Sequence, residues 1–137
     1  MRIFVDSNIV VSALVFNRKP LLVLERALEK HVEMVLSEEI LKEVTLAVLE
    51  LSPDSTHLLP EFIQKLEMKI VRKREYEREI ENQAVRDVKD KHVIAAAIAA
   101  NCDYILTGDN DLLELKIDTP KVIRTRDLLR LLEENLG

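Results

Sequence analysis

The sequence contains only two glycines, Gly108 and Gly137, a single cysteine and no tryptophan. A glycine-rich loop of the dinucleotide or P-loop type needs several glycines close together, so both kinds of nucleotide site are excluded. The one cysteine, Cys102, permits no disulfide within the chain, which favours a reducing compartment. No apolar run approaches the ~20 residues of a membrane-spanning helix. These absences predict a cytoplasmic protein with no membrane partner.

Length and charge limit the domain count and the kind of partner. A chain of 137 residues is predicted to form one domain, residues 1–137. Its formal net charge of -5 argues against a protein that coats nucleic acid non-specifically, because such proteins are usually basic. The same charge is compatible with an enzyme that cuts nucleic acid, since bound metal ions neutralise acidic side chains.

Short apolar runs alternate with stretches of helical spacing. Runs rich in Val and Ile predict strands at residues 2–5, 32–36, 69–71, 104–106 and 121–124. A 3.6-residue apolar spacing predicts helices at 8–15, 20–30, 38–51, 58–67, 89–101 and 125–135, with a solvated helix at 72–82. The segments 52–57 and 82–87 are predicted loops. This alternation is typical of an α/β fold with a mainly parallel sheet between helices.

Two of the predicted strands end in an aspartate that a polar turn follows. RIFVDSN closes on Asp6, and YILTGDND closes on Asp109. A buried unpaired carboxylate is costly, and the carboxyl ends of parallel strands are where α/β proteins bind ligands, so a shared divalent cation explains both acids. The simpler alternatives are helix capping by Asp6, although Ser7 or Asn8 can serve equally well, and a turn in which Asp111 caps a short helix.

Two further acids lie on apolar faces of predicted helices. Asp90 begins KDKHVIAAAIAA on the face that packs against the sheet, and Asp87, three residues earlier, competes for the same role. Glu43 lies within the apolar stripe of SEEILKEVTLAVLEL, one turn after Glu39. Both choices stay open at this point. His92 points away from the apolar stripe and is expected at the surface or at an interface.

Acidic side chains without histidine or cysteine at metal-ligand spacing suit Mg²⁺ or Mn²⁺ and argue against zinc. Such a site suits phosphodiester hydrolysis, because the cation neutralises the phosphate and lowers the pKa of a bound water. Thr107 is expected to orient a carboxylate or a water, and Asp87 to act as an accessory acid. The predicted catalytic residues are Asp6, Glu43, Asp90 and Asp109, and the predicted metal ligands are Asp6, Asp90, Asp109 and Asp111.

Four segments, DSN, SEEILKEV, KDKHVIAAAIA and TGDND, follow one another in the order found in PIN-domain ribonucleases, which the chain resembles. The resemblance is strongest to the VapC-like group of prokaryotic toxins. It implies a three-layer α/β/α fold with a five-stranded parallel sheet of order 3-2-1-4-5 and an acidic pocket that depends on Mg²⁺ or Mn²⁺. The matched positions are the acids Asp6, Glu43, Asp90 and Asp109, the polar pair Ser7 and Asn8, and the flanking residues Thr107 and Asp111.

The expected activity is hydrolysis of single-stranded RNA to 5′-phosphate and 3′-hydroxyl ends, with a cognate antitoxin protein and a homodimer as expected assemblies. Arg86, Lys89 and Lys91 either steer the RNA backbone or lie on a solvated face. A haloacid dehalogenase-like phosphatase would need a second aspartate where this chain has Asn8. A receiver domain would need an acidic pair before Asp6. A non-catalytic RNA-binding module stays open.

Overall fold

The computed structural model describes residues 1–16 and 18–135. These residues form a five-stranded parallel sheet of order β3-β2-β1-β4-β5, flanked by helices. The strands are β1 (Arg2–Val5), β2 (Glu33–Ser37), β3 (Lys69–Val71), β4 (Tyr104–Leu106) and β5 (Lys121–Ile123). The α-helices are α1 (Ser7–Val11), α2 (Lys19–Glu29), α3 (Glu38–Leu51), α4 (Leu59–Lys65), α5 (Lys73–Ile80), α6 (Val88–Ala99), α7 (Asn110–Leu113) and α8 (Thr125–Asn135). The predicted α/β/α fold and its strand order are confirmed.

Two helical segments differ from the sequence prediction. The first predicted helix is the short α1 followed by a π-helical turn at Ser12–Phe16. The segment 52–57 was predicted as a loop, which is wrong, because Pro53–Leu58 forms a 3₁₀ helix. The Thr56 hydroxyl donates to the Pro53 carbonyl at 2.7 Å, and this local bond stabilises the tight turn.

The central strand β1 positions the edge of the sheet where the candidate site lies. Its residues Ile3, Phe4 and Val5 are fully buried between the helix layers, as expected of a parallel sheet covered on both faces. The α1 helix packs on α3 and α2 packs on α8, whereas α5 packs on α6, which contacts β2 and β4. The β1, β4 and β5 strands are parallel neighbours in the sheet, so they end side by side at one edge.

The ladder hydrogen bonds continue one residue past the strands at this edge. The backbone N–H of Asp6 donates to the Leu106 carbonyl at 2.9 Å, and that of Thr107 donates to the Ile123 carbonyl at 3.0 Å. Leu106 is paired with Val5 on one side and with Ile123 on the other. The residues that follow these three, Asp6, Thr107 and Arg124, therefore lie next to one another across the sheet. Polar groups from three strands thus share one row.

The α3 helix begins directly after β2, where Ser37 serves as its N-cap. The buried Ser37 hydroxyl accepts a hydrogen bond from the Ile40 backbone N–H at 3.0 Å. Replacing Ser37 by Ala leaves that N–H without a partner, so we expect the free energy of unfolding to fall by about 1 kcal/mol. Urea denaturation measures this change. Glu50→Ala, at the exposed far end of α3, is the control, and an equal loss there would contradict the capping role.

Within the described ranges, no single helix is both long and apolar enough to cross a membrane. The bent pair Ser7–Phe16 and Lys19–Glu29, which meets at 106°, passes the same test of length and composition when its two halves are taken together.

Candidate active site

Asp6 is the fully buried acid at the centre of the sheet edge. One carboxylate oxygen, Oδ1, accepts from the Ser7 backbone N–H at 2.8 Å, so Asp6 itself caps α1. The alternative in which Asp6 caps the helix is confirmed, and Ser7 and Asn8, which could have served equally well, lie inside the helix. The other oxygen, Oδ2, accepts from the Thr107 hydroxyl at 2.7 Å and from the Asn8 amide at 3.4 Å. Both oxygens are therefore oriented by neighbouring donors.

The turn after β4 is hydrogen-bonded to the turn after β1. The Thr107 hydroxyl accepts from the Asp109 backbone N–H at 3.0 Å, and the Asn8 side-chain oxygen accepts from the Gly108 N–H at 3.0 Å. The Asp109 carboxylate caps α7 by accepting from the Asp111 N–H at 3.0 Å. The alternative in which Asp111 caps this helix is wrong, since Asp111 lies exposed in its first turn.

Asp90 enters the same region from the first turn of α6. It is only 6% exposed, whereas Asp87 is exposed and caps the helix by accepting from the Asp90 N–H at 3.1 Å. Burial raises the pKa of Asp90 to about 6, and the negative charges of Asp87, Asp109, Asp111 and Asp6 act in the same direction. The start of α6 therefore faces both strand-end acids, and their carboxylates repel one another.

Lys89 supplies positive charge to this group of acids. Its ammonium lies 3.6 Å from a carboxylate oxygen of Glu43, which reaches the group from α3. Burial alone would lower the pKa of Lys89, but attraction from Asp6, Glu43 and Asp109 outweighs burial and raises it. Of the three basic residues near Asp90 in sequence, Arg86 is exposed and Lys91 half-buried. The charge of Lys89 therefore acts on Glu43 and on both strand-end acids, Asp6 and Asp109.

Glu39 lies one turn before Glu43 on α3, near the buried Tyr76 of α5. Burial raises the pKa of Tyr76, and the charges of Glu39 and Glu38 add to that effect. His92 is half-buried and packs edge-on against Tyr76 with ring centroids 6.3 Å apart, so it does not lie freely at the surface. The Tyr76 hydroxyl and His92 Nδ1 are buried and lack a well-formed hydrogen bond. The neighbours of Glu39 therefore differ from those of Glu43.

The chemistry of the acids can be compared with the needs of a metal ion. Across residues 1–16 and 18–135, no three His, Cys, Asp or Glu side chains stand at a spacing that would hold a metal. The group nevertheless offers only oxygen donors, and its mutual repulsion is offset by a lysine ammonium. Oxygen donors with an excess of negative charge fit a hard divalent cation such as Mg²⁺ or Mn²⁺.

Sequence reasoning missed Arg124, which follows β5 in the row that contains Asp6 and Thr107. Its exposed guanidinium lies 3.5 Å from the side-chain oxygen of Asn110. The available signal was the rule that drew attention to Asp6, since Arg124 is likewise the first residue after its strand, whereas the predicted strand 121–124 included it.

Comparison with known proteins identifies the family. The sequence matches the PIN domain over residues 2–111, a segment that includes every acid of the site. A chain in the crystal structure of VapBC2 from Rickettsia felis, bound to a DNA fragment from their promoter, has the same fold. That likeness has a TM-score of 0.66 at 18% identity and covers 90% of this chain and 98% of the other. No match is found among curated proteins.

PIN domains are generally nucleases that use divalent metal ions. The match covers 110 of 137 residues, from β1 into α7. Sequence and fold agree, and the chain belongs to the PIN domain family.

Proposed function

We propose that the protein is an Mg²⁺- or Mn²⁺-dependent endoribonuclease that hydrolyses single-stranded RNA as the toxin of a toxin–antitoxin pair. The observation on which the proposal depends is the burial and hydrogen bonding of the Asp6 carboxylate. It is fully buried, and both of its oxygens are oriented by the backbone of Ser7 and the hydroxyl of Thr107. A structural cap needs only one of these bonds, so the second indicates a carboxylate positioned for a ligand.

The residues proposed to hold the metal are Asp6, Asp90 and Asp109, with Asp111 at the rim. A bound divalent cation would neutralise the phosphate and lower the pKa of a coordinated water. The repulsion that raises the pKa of Asp90 would be relieved by such a charge. The Lys89 ammonium would then no longer be needed to offset the negative charge of the acidic side chains, and it would be available to bind the RNA backbone.

The remaining residues position and exchange protons. The Ser7 N–H and the Thr107 hydroxyl hold Asp6 in one orientation, which avoids reorganisation during the reaction. Glu43 has a side chain that is 30% exposed, so it can accept a proton from the attacking water. The water oxygen would bond to phosphorus as the bond between phosphorus and the 3′ oxygen breaks. Glu43 would take the proton from the water, the leaving oxygen would take a proton from solvent, and the products would have 5′-phosphate and 3′-hydroxyl ends.

The test uses the purified full chain and a fluorogenic single-stranded RNA, with Mn²⁺, with Mg²⁺ and with chelator. We expect cleavage only in the two metal conditions, none of single-stranded DNA of the same sequence, and products with 5′-phosphate ends. Equal cleavage with chelator would overturn the proposal. Mn²⁺ and RNA binding without cleavage would instead favour the non-catalytic RNA-binding module.

Lys89 gives a second expected result. Replacing it by Gln removes a positive charge that competes with the metal for Asp6, Glu43 and Asp109. We expect the dissociation constant of Mn²⁺ to fall by about fivefold, which corresponds to about 1 kcal/mol of relieved competition. Isothermal titration calorimetry without RNA measures this constant. The control is Lys91→Gln, one residue beyond Asp90 on another face of α6, and the role of Lys89 fails if both variants behave alike.

The homodimer and the antitoxin complex are proposed from the exposed apolar surface of α3 and the 3₁₀ helix. Leu46, Leu49, Leu51 and Leu58 are between 40% and 61% exposed there. Such a group of leucines is typical of a protein–protein contact. We expect light scattering to give twice the 15.8 kDa chain mass, and Leu46→Ser combined with Leu49→Ser to give a monomer. Val88→Ser, at the exposed first position of α6, is the control, and a double variant that stays dimeric would place the contact elsewhere.

A further inference from the structure

A cleft with a volume of about 400 Å³ opens beside the acidic group. One wall contains Asn8 and Thr107, the two side chains that also donate to Asp6 Oδ2. The opposite wall contains Arg124 and Thr125, where β5 ends and α8 begins. Because both walls belong to the same edge of the sheet, anything bound in the cleft lies next to the proposed site of cleavage.

The described lining of this cleft has a basic side chain and no carboxylate. The cleft is lined by one arginine and by no aspartate or glutamate among its described residues, although the chain has a net charge of -5. Four other cavities on the described surface each include at least one carboxylate, from Asp127 and Glu134, from Glu33 and Glu67, from Glu33 and Asp103, or from Glu133. The cleft lining that the structure describes therefore carries positive charge without an opposing carboxylate, which suits an anionic ligand.

The polar groups of the cleft suit a nucleotide. Asn8, Ser12 and Thr125 offer amide and hydroxyl groups, while Ile9 and Pro20 provide an apolar surface for a ribose or base. A volume of about 400 Å³ lies within the range of small-molecule sites and is large enough for one nucleotide. The exposed residues Arg18 and Lys19 precede Pro20 and add positive charge near that rim.

Arg124 is held at its backbone but not at its charged end. Its backbone N–H donates to Asp127 Oδ2 at 3.0 Å, which keeps that carboxylate engaged with the main chain. Among residues 1–16 and 18–135, the guanidinium has only the long 3.5 Å contact with Asn110, and it is exposed. An arginine with unused donors above a cleft is suited to bidentate binding of a phosphate.

We propose that this cleft binds a nucleotide next to the cleaved bond of single-stranded RNA. In this proposal Arg124 binds the phosphate beside the one that is cleaved. The inference rests on the proposed ribonuclease function and names a substrate-binding residue for it. Arg124 is a binding and positioning residue. The acids would cut the chain, and Arg124 would determine where along the backbone they act.

The test is fluorescence anisotropy with a labelled oligouridine 12-mer in chelator, so that no cleavage occurs. We expect Arg124→Ala to raise the dissociation constant by about tenfold and to reduce the slope of log affinity against log salt by about 0.7, the value for one lost phosphate contact on a single strand. Arg124→Lys should restore the slope and part of the affinity, because it keeps the charge and loses the planar fork.

The matched control is Arg130→Ala, an exposed arginine on α8 that lines a different cavity together with Glu134. It should change the dissociation constant by less than about twofold. The inference is overturned when Arg124→Ala leaves both the affinity and the salt slope unchanged, or when Arg130→Ala lowers them equally. Circular dichroism melting curves confirm that each variant is folded.

Cleavage assays separate this inference from the proposed function. In Mn²⁺, Arg124→Ala should raise KM about tenfold and leave kcat within a factor of about two, because the residue touches neither the acids nor the cleaved bond. A wild type that binds RNA through Arg124 without cutting it would support the cleft and contradict the nuclease. If the wild type cuts RNA and Arg124→Ala has a normal KM, the nuclease function is supported and the role of the cleft is contradicted.

Discussion

Asp6→Asn is expected to reduce RNA cleavage by about 10³-fold while the protein remains folded. The substitution removes one negative charge from a fully buried position and keeps the size of the side chain. The remaining carbonyl oxygen can still accept from the Ser7 N–H, so the cap of α1 is preserved. The Thr107 hydroxyl can reverse its role and accept from the new amide. Loss of activity would then reflect loss of charge.

The measurement is initial rate on the fluorogenic RNA in Mn²⁺, with thermal melting of the same preparations. Asp118→Asn is the control, because Asp118 is exposed in the loop before β5 and has no role at this edge. It should cleave at the wild-type rate. An Asp6→Asn variant that keeps more than about a tenth of the wild-type rate would show that Asp6 is a structural cap and that the chemistry lies elsewhere.

The sheet could be predicted from sequence because its determinants are local. Five short apolar runs, each too short for a helix and each followed by a polar residue, are sufficient to place parallel strands. The observed strands begin and end within one residue of the predicted positions. The strand order itself came from resemblance to a family, since no pattern in a single sequence states which strands are neighbours.

The side-chain contacts of the site could be predicted only in part. Strand-end position brings Asp6 and Asp109 to one edge, and this follows from the topology. The choice of capping residue depends on φ and ψ at a single position, so the sequence could not decide between Asp6, Ser7 and Asn8. The ion pair of Lys89 and Glu43 joins α6 to α3. Such a contact between distant segments leaves no periodic signal in the sequence.

Asp90→Asn is expected to stabilise the metal-free protein above pH 6. The pKa of Asp90 rises from 3.8 to about 6 on folding, chiefly because of burial. The folded state therefore binds this proton more tightly than the unfolded state, so the free energy of unfolding falls as pH rises from about 4 to about 6 and stays lower above. Asparagine does not titrate. The gain should be near zero at pH 4 and at most about 3 kcal/mol at pH 7.

Divalent metal should reverse the order of the two proteins. At a Mn²⁺ concentration of about 1,000 times the dissociation constant, wild type should gain about 4.1 kcal/mol from binding, more than the at most about 3 kcal/mol by which Asp90→Asn leads without metal, whereas Asp90→Asn lacks a ligand and gains far less. Melting curves at pH 5 and pH 7, with chelator and with Mn²⁺, separate the two effects. Asp54→Asn, in the exposed 3₁₀ helix, should follow wild type in all four conditions. Because a purely structural acid would raise stability on removal regardless of metal, a variant that remains the more stable protein in Mn²⁺ would exclude Asp90 as a metal ligand.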